Sequence, residues 1–234
     1  DWDELDNYFL NRPWQYVLKF NILEIYNYYI NNGITDINFI NEIFSPLLRA
    51  KDISMDVTMA EFKQITGVGL CIYSTEFVTL SIKEFSAETT PNVKVLEAVY
   101  ASSALPILLK PIQIENKTYI DGSICLNYPL VKCLEKNIDP QTVLGIKNKY
   151  PETEIMQIEN SNMFDYMTSL IFSLFTKMEH AEKIANNTGY NVISTSTEGV
   201  KEIFVSSTAN DFSKFFKMAS CKEERQTAIN RGVE

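Results

Sequence analysis

The spacing of apolar residues along this chain changes from segment to segment. Spacings of three and four residues predict helices, whereas short apolar runs and alternation at every second residue predict strands. Apolar residues three and four apart predict an amphipathic helix at the start, around residues 2–9, and a second one over residues 35–48. Thr58 and Glu61 form a capping-box pattern that predicts the start of a third helix, which Gly67 is expected to end.

The later part of the chain is predicted to contain further helices and strands. Helices are predicted over residues 93–104, 129–135 and 164–186, with two short ones within 211–231. Strands are predicted over residues 69–75, 77–85, 112–114, 117–120, 143–146, 191–196 and 203–205. Strands alternating with helices indicate an α/β layered fold, and 234 residues with 45% hydrophobic content suit one domain over residues 1–234.

Composition narrows the possible functions. The 21 basic and 30 acidic side chains give a net charge of −9 without any basic run, so nucleic acid is not expected as a partner. The single histidine, His180, rules out a metal site built on imidazoles, and its charged helical surroundings predict an exposed side chain. Four widely spaced cysteines predict reduced thiols and a cytoplasmic protein, and no apolar run is long enough to predict a spanning helix.

Three short segments of small or turn-forming residues carry the candidate chemistry. They are Ala101, Ser102, Ser103, Ala104 and Pro106; then Asp121, Gly122 and Ser123; then Asn127 and Pro129. The small residues allow a helix end to approach another backbone, and Pro106 stops that helix. Asp121 is predicted to lie on a rigid turn at a strand end, with Gly122 allowing a positive φ and leaving room beside the acid. Such a carboxylate suits a catalytic base, although an Asp-Gly pair is also a common turn without function.

Together the three segments resemble the patatin-like phospholipase family. Its members use a Ser-Asp dyad whose Asp lies in an Asp-Gly-Gly or Asp-Gly-Ala motif, after an Ala-Ser-x-Ala-x-Pro helix end. The resemblance implies that Asp121 is the dyad acid, with Ser123 standing where the family has Gly or Ala. It also implies a patatin-like α/β fold with a mainly parallel central sheet flanked by helices, incomplete at its N-terminus, with no metal, calcium or other cofactor.

The family's nucleophile motif is missing from these 234 residues. They contain no Gly-x-Ser-x-Gly elbow and no glycine-rich oxyanion loop, which the family places ahead of the region that matches Asp1. We therefore expect the nucleophile to come from sequence ahead of Asp1 or from another chain, and the 234 residues alone to be inactive. Ser102 and Ser103 are expected to bond to nearby backbone groups instead of acting as nucleophiles.

The resemblance implies a lipid acyl hydrolase that releases fatty acid from a phospholipid or another acyl ester through an acyl-serine, with Asp121 as its base. Two alternatives stay open: a non-catalytic patatin-like subunit that binds lipid or serves structure, and an unrelated α/β protein with a chance Asp-Gly turn. The apolar stretch 163–175 is predicted to be a core helix, or else an acyl-chain groove or lipid contact. The acidic net charge predicts that any membrane contact is apolar and transient.

Overall fold

The computed structural model describes residues 2–17, 33–149, 166–167, 169–171, 173, 199–206 and 220–231. The chain divides into two compact units, Phe20–Pro129 and the remainder, Asp1–Lys19 with Leu130–Glu234. We call Phe20–Pro129 the site unit, because it contains every candidate site residue, and the remainder the second unit. A single domain over residues 1–234 stays a prediction.

Helices and strands alternate along most of the described chain. In chain order they are α1 (Trp2–Asn11), α2 (Trp14–Val17), β1 (Gly33–Thr35), α3 (Ile37–Arg49), α4 (Met59–Thr66), β2 (Cys71–Glu76), β3 (Ser81–Ser86), α5 (Val95–Ser103), β4 (Ile107–Leu109), β5 (Ile112–Ile114), β6 (Lys117–Asp121), α6 (Leu130–Leu134), β7 (Leu144–Lys149), β8 (Lys201–Ser206) and α7 (Lys222–Arg231). Short 3-10 helices lie at Gly122–Ile124 and Pro140–Thr142.

The largest described sheet is antiparallel. Its strand order is β3-β2-β6-β5, and each neighbouring pair runs in opposite directions. Turns too short for a crossover join β2 to β3 and β5 to β6, and the latter turn uses positive φ angles at Glu115 (50°) and Asn116 (64°). Parallel pairing is described only for β1 with β4 and β7 with β8. The α/β class is therefore found, but the expected mainly parallel central sheet is not confirmed.

Helix α5 is the centre of the site unit. One of its faces packs Ala98 and Ala101 against Phe85 and Tyr119 of the sheet, whose rings meet edge to face 5.2 Å apart. Another buried cluster joins α5 to α3 and β4; its members are Ile40, Leu96, Tyr100, Ala104 and Leu109. A helix buried on more than one face must be apolar nearly all round, as its sequence is.

Polar contacts also tie α5 to the parallel strand pair. The Tyr100 hydroxyl donates to the backbone carbonyl of Lys110 at 2.7 Å, beside the β1–β4 pair. The same hydroxyl lies 3.4 Å from the carbonyl oxygen of Thr35 in β1. A buried phenol therefore positions α5 as well as packing it, because its hydroxyl has to find a partner inside the protein.

Helix α4 has the ends that the sequence predicts. Thr58 accepts from the backbone N–H of Glu61, whose carboxylate accepts from the backbone N–H of Thr58. Gly67 ends the helix in the left-handed region at φ 71°. The capping-box prediction is confirmed, since both reciprocal bonds are formed.

In the second unit, α1 packs against α7, and β7 pairs with β8 in parallel. Of the predicted helix over residues 164–186, only 166–167, 169–171 and 173 are described, and they are helical. Among them Tyr166, Met167 and Leu170 are exposed, while the rest of that apolar stretch lies outside the described residues. The predicted strand 191–196 and His180 also lie outside them.

Candidate active site

The end of α5 is fastened to the strands that carry the site. The last carbonyl groups of a helix have no partner within the helix, so other groups must satisfy them. The Ala104 carbonyl accepts from the backbone N–H of Asp121 at 3.0 Å, and the Ala101 carbonyl accepts from the Ser74 hydroxyl at 3.0 Å. The Ser74 oxygen is also 2.7 Å from the carbonyl oxygen of Ile120. One buried hydroxyl on β2 thus joins α5 to β6, one residue before Asp121.

The two alanines at the end of α5 allow the helix end to lie close to β6. Ala101 and Ala104 are completely buried, so a larger side chain at either position would push α5 away from β6. The adjacent serines are partly exposed, and the Ser103 hydroxyl donates to the carbonyl of Val99 one turn earlier, at 2.8 Å. Among the described contacts, neither Ser102 nor Ser103 bonds to the Asp121 carboxyl. The bond of Ser103 to Val99 is the local bonding that we expected of this hydroxyl, while the expectation for Ser102 stays a prediction.

Gly122 is required by its closeness to β2. A Cβ built at this position would lie 2.9 Å from the carbonyl carbon of Tyr73 and still closer to its oxygen. Backbone at that distance cannot move aside, so every other residue would strain the turn. Gly122 does not use the positive φ that glycine allows, because the glycines with positive φ in the described chain are Gly67 and Gly199. The other expectation, that the missing side chain leaves room at this turn, agrees with the close approach to Tyr73.

Asp121 is the last residue of β6 and the N-cap of the 3-10 turn Gly122–Ile124. It pairs with Ser74 across the sheet, and one carboxylate oxygen accepts from the backbone N–H of Ser123 at 2.7 Å. Burial raises the pKa of the Asp121 carboxyl, and hydrogen bonding by the side chain and backbone of Ser123 lowers it by less. Among the described residues no Lys or Arg forms an ion pair with this carboxyl.

The backbone contacts hold the Asp121 turn in place, and burial raises the pKa of the Asp121 carboxyl above that of an ordinary aspartate. A carboxylate in such a place can accept a proton from a hydroxyl brought against it, since a general base is most useful when its pKa moves toward the working pH. The geometry therefore offers one half of an acid-base pair.

The sequence of this region also matches a family. The sequence model of the patatin-like phospholipase family matches residues 3–133, which is more than half of the chain and includes all three candidate segments. The chain belongs to the patatin-like phospholipase family. That relationship was expected from the small-residue helix end and the Asp-Gly turn.

Two known proteins are similar to this patatin-like chain, and each is similar over less than half of its own length. The protein named Probable lipid hydrolase 463L, from Invertebrate iridescent virus 6, is 32% identical over 83 residues, which are 36% of this chain and 29% of the viral protein. The crystal structure of VipD from Legionella pneumophila aligns with 97% of this chain and 44% of its own, with 14% identity and a TM-score of 0.43. The chain thus spans less than half the length of either protein.

The third segment of the patatin-like motif follows the turn directly. The carbonyl of Gly122 accepts from the backbone N–H groups of Cys125, at 3.1 Å, and Leu126, at 2.8 Å, which closes the turn. Asn127 and Pro129 come next, both partly buried, and Pro129 is the last residue of the site unit. No described contact joins either residue to the Asp121 carboxyl, so their catalytic relevance stays a prediction.

The contribution of β2 to the candidate site was not predicted from the sequence. Ser74 links α5 to β6, and the carbonyl of Tyr73 imposes a glycine after Asp121. Thr75, the next residue, has a fully buried hydroxyl for which the described part of the chain offers no hydrogen-bond partner. A signal was present, since two adjacent hydroxyl residues in a segment predicted to be a buried strand need a structural or functional reason.

The described residues contain neither a metal-binding cluster nor a membrane-spanning helix. No group of three or more His, Cys, Asp or Glu side chains there is arranged to hold a metal ion. No helix within the same residues has the length and apolar character needed to cross a membrane.

Proposed function

We propose that this protein is a lipid acyl hydrolase in which Asp121 is the general base of a Ser-Asp dyad. The observation that carries the proposal is the position of Asp121, fixed on a strand end against α5 with a pKa raised by burial. Membership of the patatin-like phospholipase family supports the same function. The serine is proposed to come from outside these 234 residues, because they contain no Gly-x-Ser-x-Gly motif.

The proposed reaction has two steps, and Asp121 moves a proton in each. The serine oxygen attacks the carbonyl carbon of an acyl ester while the Asp121 carboxylate takes the serine proton. The ester C–O bond then breaks, the alcohol or lysolipid leaves with that proton, and an acyl-serine remains. Water attacks the acyl-serine with Asp121 accepting its proton, which then returns to the serine oxygen as the fatty acid leaves.

Burial of Asp121 is the feature that makes it suitable for both steps. An ordinary aspartate, with a pKa of about 4, is a weak base at neutral pH. Desolvation disfavours the charged carboxylate, so the buried Asp121 binds a proton more readily. Rigid support by the Ala104 carbonyl and the Ser123 N–H keeps the carboxylate in one place, which preserves alignment with an incoming hydroxyl.

The proposed substrate is a phospholipid or another acyl ester. The name of the viral relative, Probable lipid hydrolase, supports this class of substrate. The proposed dyad uses neither calcium nor another cofactor, since the carboxylate alone accepts the proton. We also propose a cytoplasmic location, supported by the wide and irregular spacing of the four cysteines, Cys71, Cys125, Cys133 and Cys221.

The test is an exchange of Asp for Asn in the full-length protein, with a matched control in the same chain. Asp139 caps the 3-10 turn Pro140–Thr142 as Asp121 caps its own turn, and asparagine caps about as well as aspartate. Asp121→Asn should lower kcat for a phospholipid or a nitrophenyl ester by about a hundredfold or more, because an amide cannot take the serine proton. Asp139→Asn should leave kcat unchanged.

Other outcomes would decide against the dyad. Near-wild-type turnover in Asp121→Asn, with a retained melting temperature, would remove Asp121 from the mechanism. A full-length wild-type protein that binds lipid but hydrolyses none of these esters would be the non-catalytic subunit instead.

A further inference from the structure

The turn between β2 and β3 exposes a cluster of apolar side chains. We call residues 77–82 the hairpin tip. Its large apolar residues have exposed fractions of 55% for Phe77, 80% for Val78, 58% for Leu80 and 39% for Ile82. Adjacent exposed residues of this size are unusual on a soluble surface, where single apolar residues are common but contiguous groups mark contact sites.

The tip exposes these residues although its backbone is firmly held. The backbone N–H of Phe77 donates to the Thr118 carbonyl at 2.8 Å, and that of Leu80 donates to the Glu76 carbonyl at 2.9 Å. Leu80 adopts a left-handed conformation at φ 51°, which is unfavourable for a leucine. A turn that only had to reverse the chain would suit polar residues or glycine better, so the apolar composition calls for another reason.

The tip belongs to the same ladder as the candidate base. Ser74 pairs with Asp121 and Glu76 with Tyr119, so the tip begins three residues beyond the partner of Asp121. The Cys125 thiol, on the turn that follows Asp121, donates to the carbonyl of Leu80 at 3.2 Å. Whatever binds the tip is therefore held at a fixed place relative to the Asp121 turn.

Charge narrows the choice of partner. The tip itself has no ionisable side chain, so it can leave water without desolvating an ion. Lys117 and Glu76 neutralise each other at its base, with a nitrogen-to-oxygen distance of 2.7 Å. The whole chain carries a net charge of −9, which opposes attraction to an anionic membrane. This combination of an uncharged apolar tip and an acidic protein fits a zwitterionic or neutral lipid surface.

We propose that the hairpin tip inserts into the surface of a zwitterionic or neutral lipid aggregate and so brings its acyl esters to the Asp121 turn. The insertion gains free energy from burying Phe77, Val78 and Leu80 among acyl chains. The binding part of this proposal stands on the tip alone, whereas its link to hydrolysis rests on the proposed function.

The test compares two valines at opposite ends of β2. Val78 lies in the tip, while Val68, which is 55% exposed, precedes the strand, and about 17 Å of strand lies between the two ends. In the full-length protein, Val78→Asp should weaken partitioning into phosphatidylcholine vesicles by about tenfold, because a carboxylate resists transfer into the lipid. Val68→Asp should bind as the wild type does. Adding phosphatidylglycerol to the vesicles should not strengthen binding by the wild type.

Hydrolysis assays separate this proposal from the proposed function. Val78→Asp should lose turnover of vesicle lipid and keep turnover of a monomeric short-chain nitrophenyl ester. Asp121→Asn should bind vesicles as the wild type does but should hydrolyse neither substrate. If neither the wild type nor any variant hydrolyses these substrates, while Val78→Asp still loses vesicle binding, the tip proposal is supported and the proposed function is wrong.

Three results would overturn the tip proposal. They are wild-type protein that does not bind phosphatidylcholine vesicles, Val78→Asp that binds as well as wild type, and Val78→Asp that changes the oligomeric state without changing vesicle binding. The last result would assign the tip to a protein interface. Phe77→Ser, a milder change, should also weaken binding and covers the case in which Val78→Asp fails to fold.

Discussion

Two turns in this chain are built alike, yet only one is a candidate for catalysis. Asp121 and Asp139 each precede a 3-10 turn and accept a hydrogen bond from the backbone N–H two residues later, at 2.7 and 3.0 Å. Asp139 is exposed, and a proline follows it. Asp121 lies between β2 and the end of α5, and the glycine after it is buried against the backbone of Tyr73 and Ser74.

The difference between the turns shows which property of Asp121 needs an explanation. Capping of the turn explains an aspartate at either position, and an aspartate can cap a turn while it is exposed to solvent. Capping does not account for desolvating the carboxylate, which costs free energy. Burial of the acid, and not its turn, is therefore the property that favours a catalytic assignment.

The largest effect should follow from adding a single methyl group beside Asp121. Gly122→Ala should lower the free energy of unfolding by about 3 kcal/mol, because the new Cβ meets the Tyr73 carbonyl group. Gly69→Ala is the control, since a Cβ there meets only the end of the Lys63 side chain at 3.9 Å. It should change stability by less than about 1 kcal/mol. Equal effects in urea unfolding would show that the Asp121 turn is no more enclosed than an ordinary loop.

A smaller effect should separate two neighbouring hydroxyls on β2. Ser74→Ala should cost about 1 to 2 kcal/mol, because it leaves the Ala101 carbonyl buried without a donor. Thr75→Val should be neutral or stabilising by up to about 1 kcal/mol, since it removes a buried hydroxyl that has no hydrogen-bond partner among the described residues. Thermal or urea unfolding measures both. A loss of stability in Thr75→Val larger than that in Ser74→Ala would contradict the support assigned to Ser74.

The smallest effect is a drift of stability with pH. A raised pKa means that folding is favoured while Asp121 is protonated, below the ordinary aspartate pKa of about 4, and that this contribution is lost as pH rises through the raised value. Asparagine does not titrate, so the melting temperature of Asp121→Asn relative to wild type should increase from pH 3.5 to pH 7. Asp139→Asn in the same series gives the baseline for exchanging a capping aspartate. A relative melting temperature that falls over this range would mean that burial is not the dominant influence on Asp121.

Local signals in the sequence predicted much of the fold. The capping box at Thr58, the strand pair around Glu115 and Asn116, and the helix before Pro106 were all predictable, because each depends on residues within one turn or hairpin. The parallel pair β1 and β4 was not predicted. Each strand has three residues, and their partners are more than seventy residues apart, so neither shows a period of its own.

The candidate site was predicted in position but not in its construction. Asp121 does lie at a strand end, and Ala101 and Ala104 do allow the helix end to approach it. Of the two reasons given for Gly122, the positive φ is not used, whereas the missing side chain is needed for closeness to Tyr73, whose place beside it depends on pairing between β2 and β6. Long-range pairing of this kind leaves no mark near residue 122 in the sequence.

The hydrogen bonds that hold α5 in place should also slow amide hydrogen exchange at Asp121. The amide proton of Asp121 is bound to the Ala104 carbonyl, while Ser74 and Tyr100 hold the same helix to strands on either side. We expect solvent to reach that proton only when α5 moves away from the sheet, because such an opening has to break the core of the site unit. The Asp121 amide should then be among the slowest-exchanging protons of the site unit.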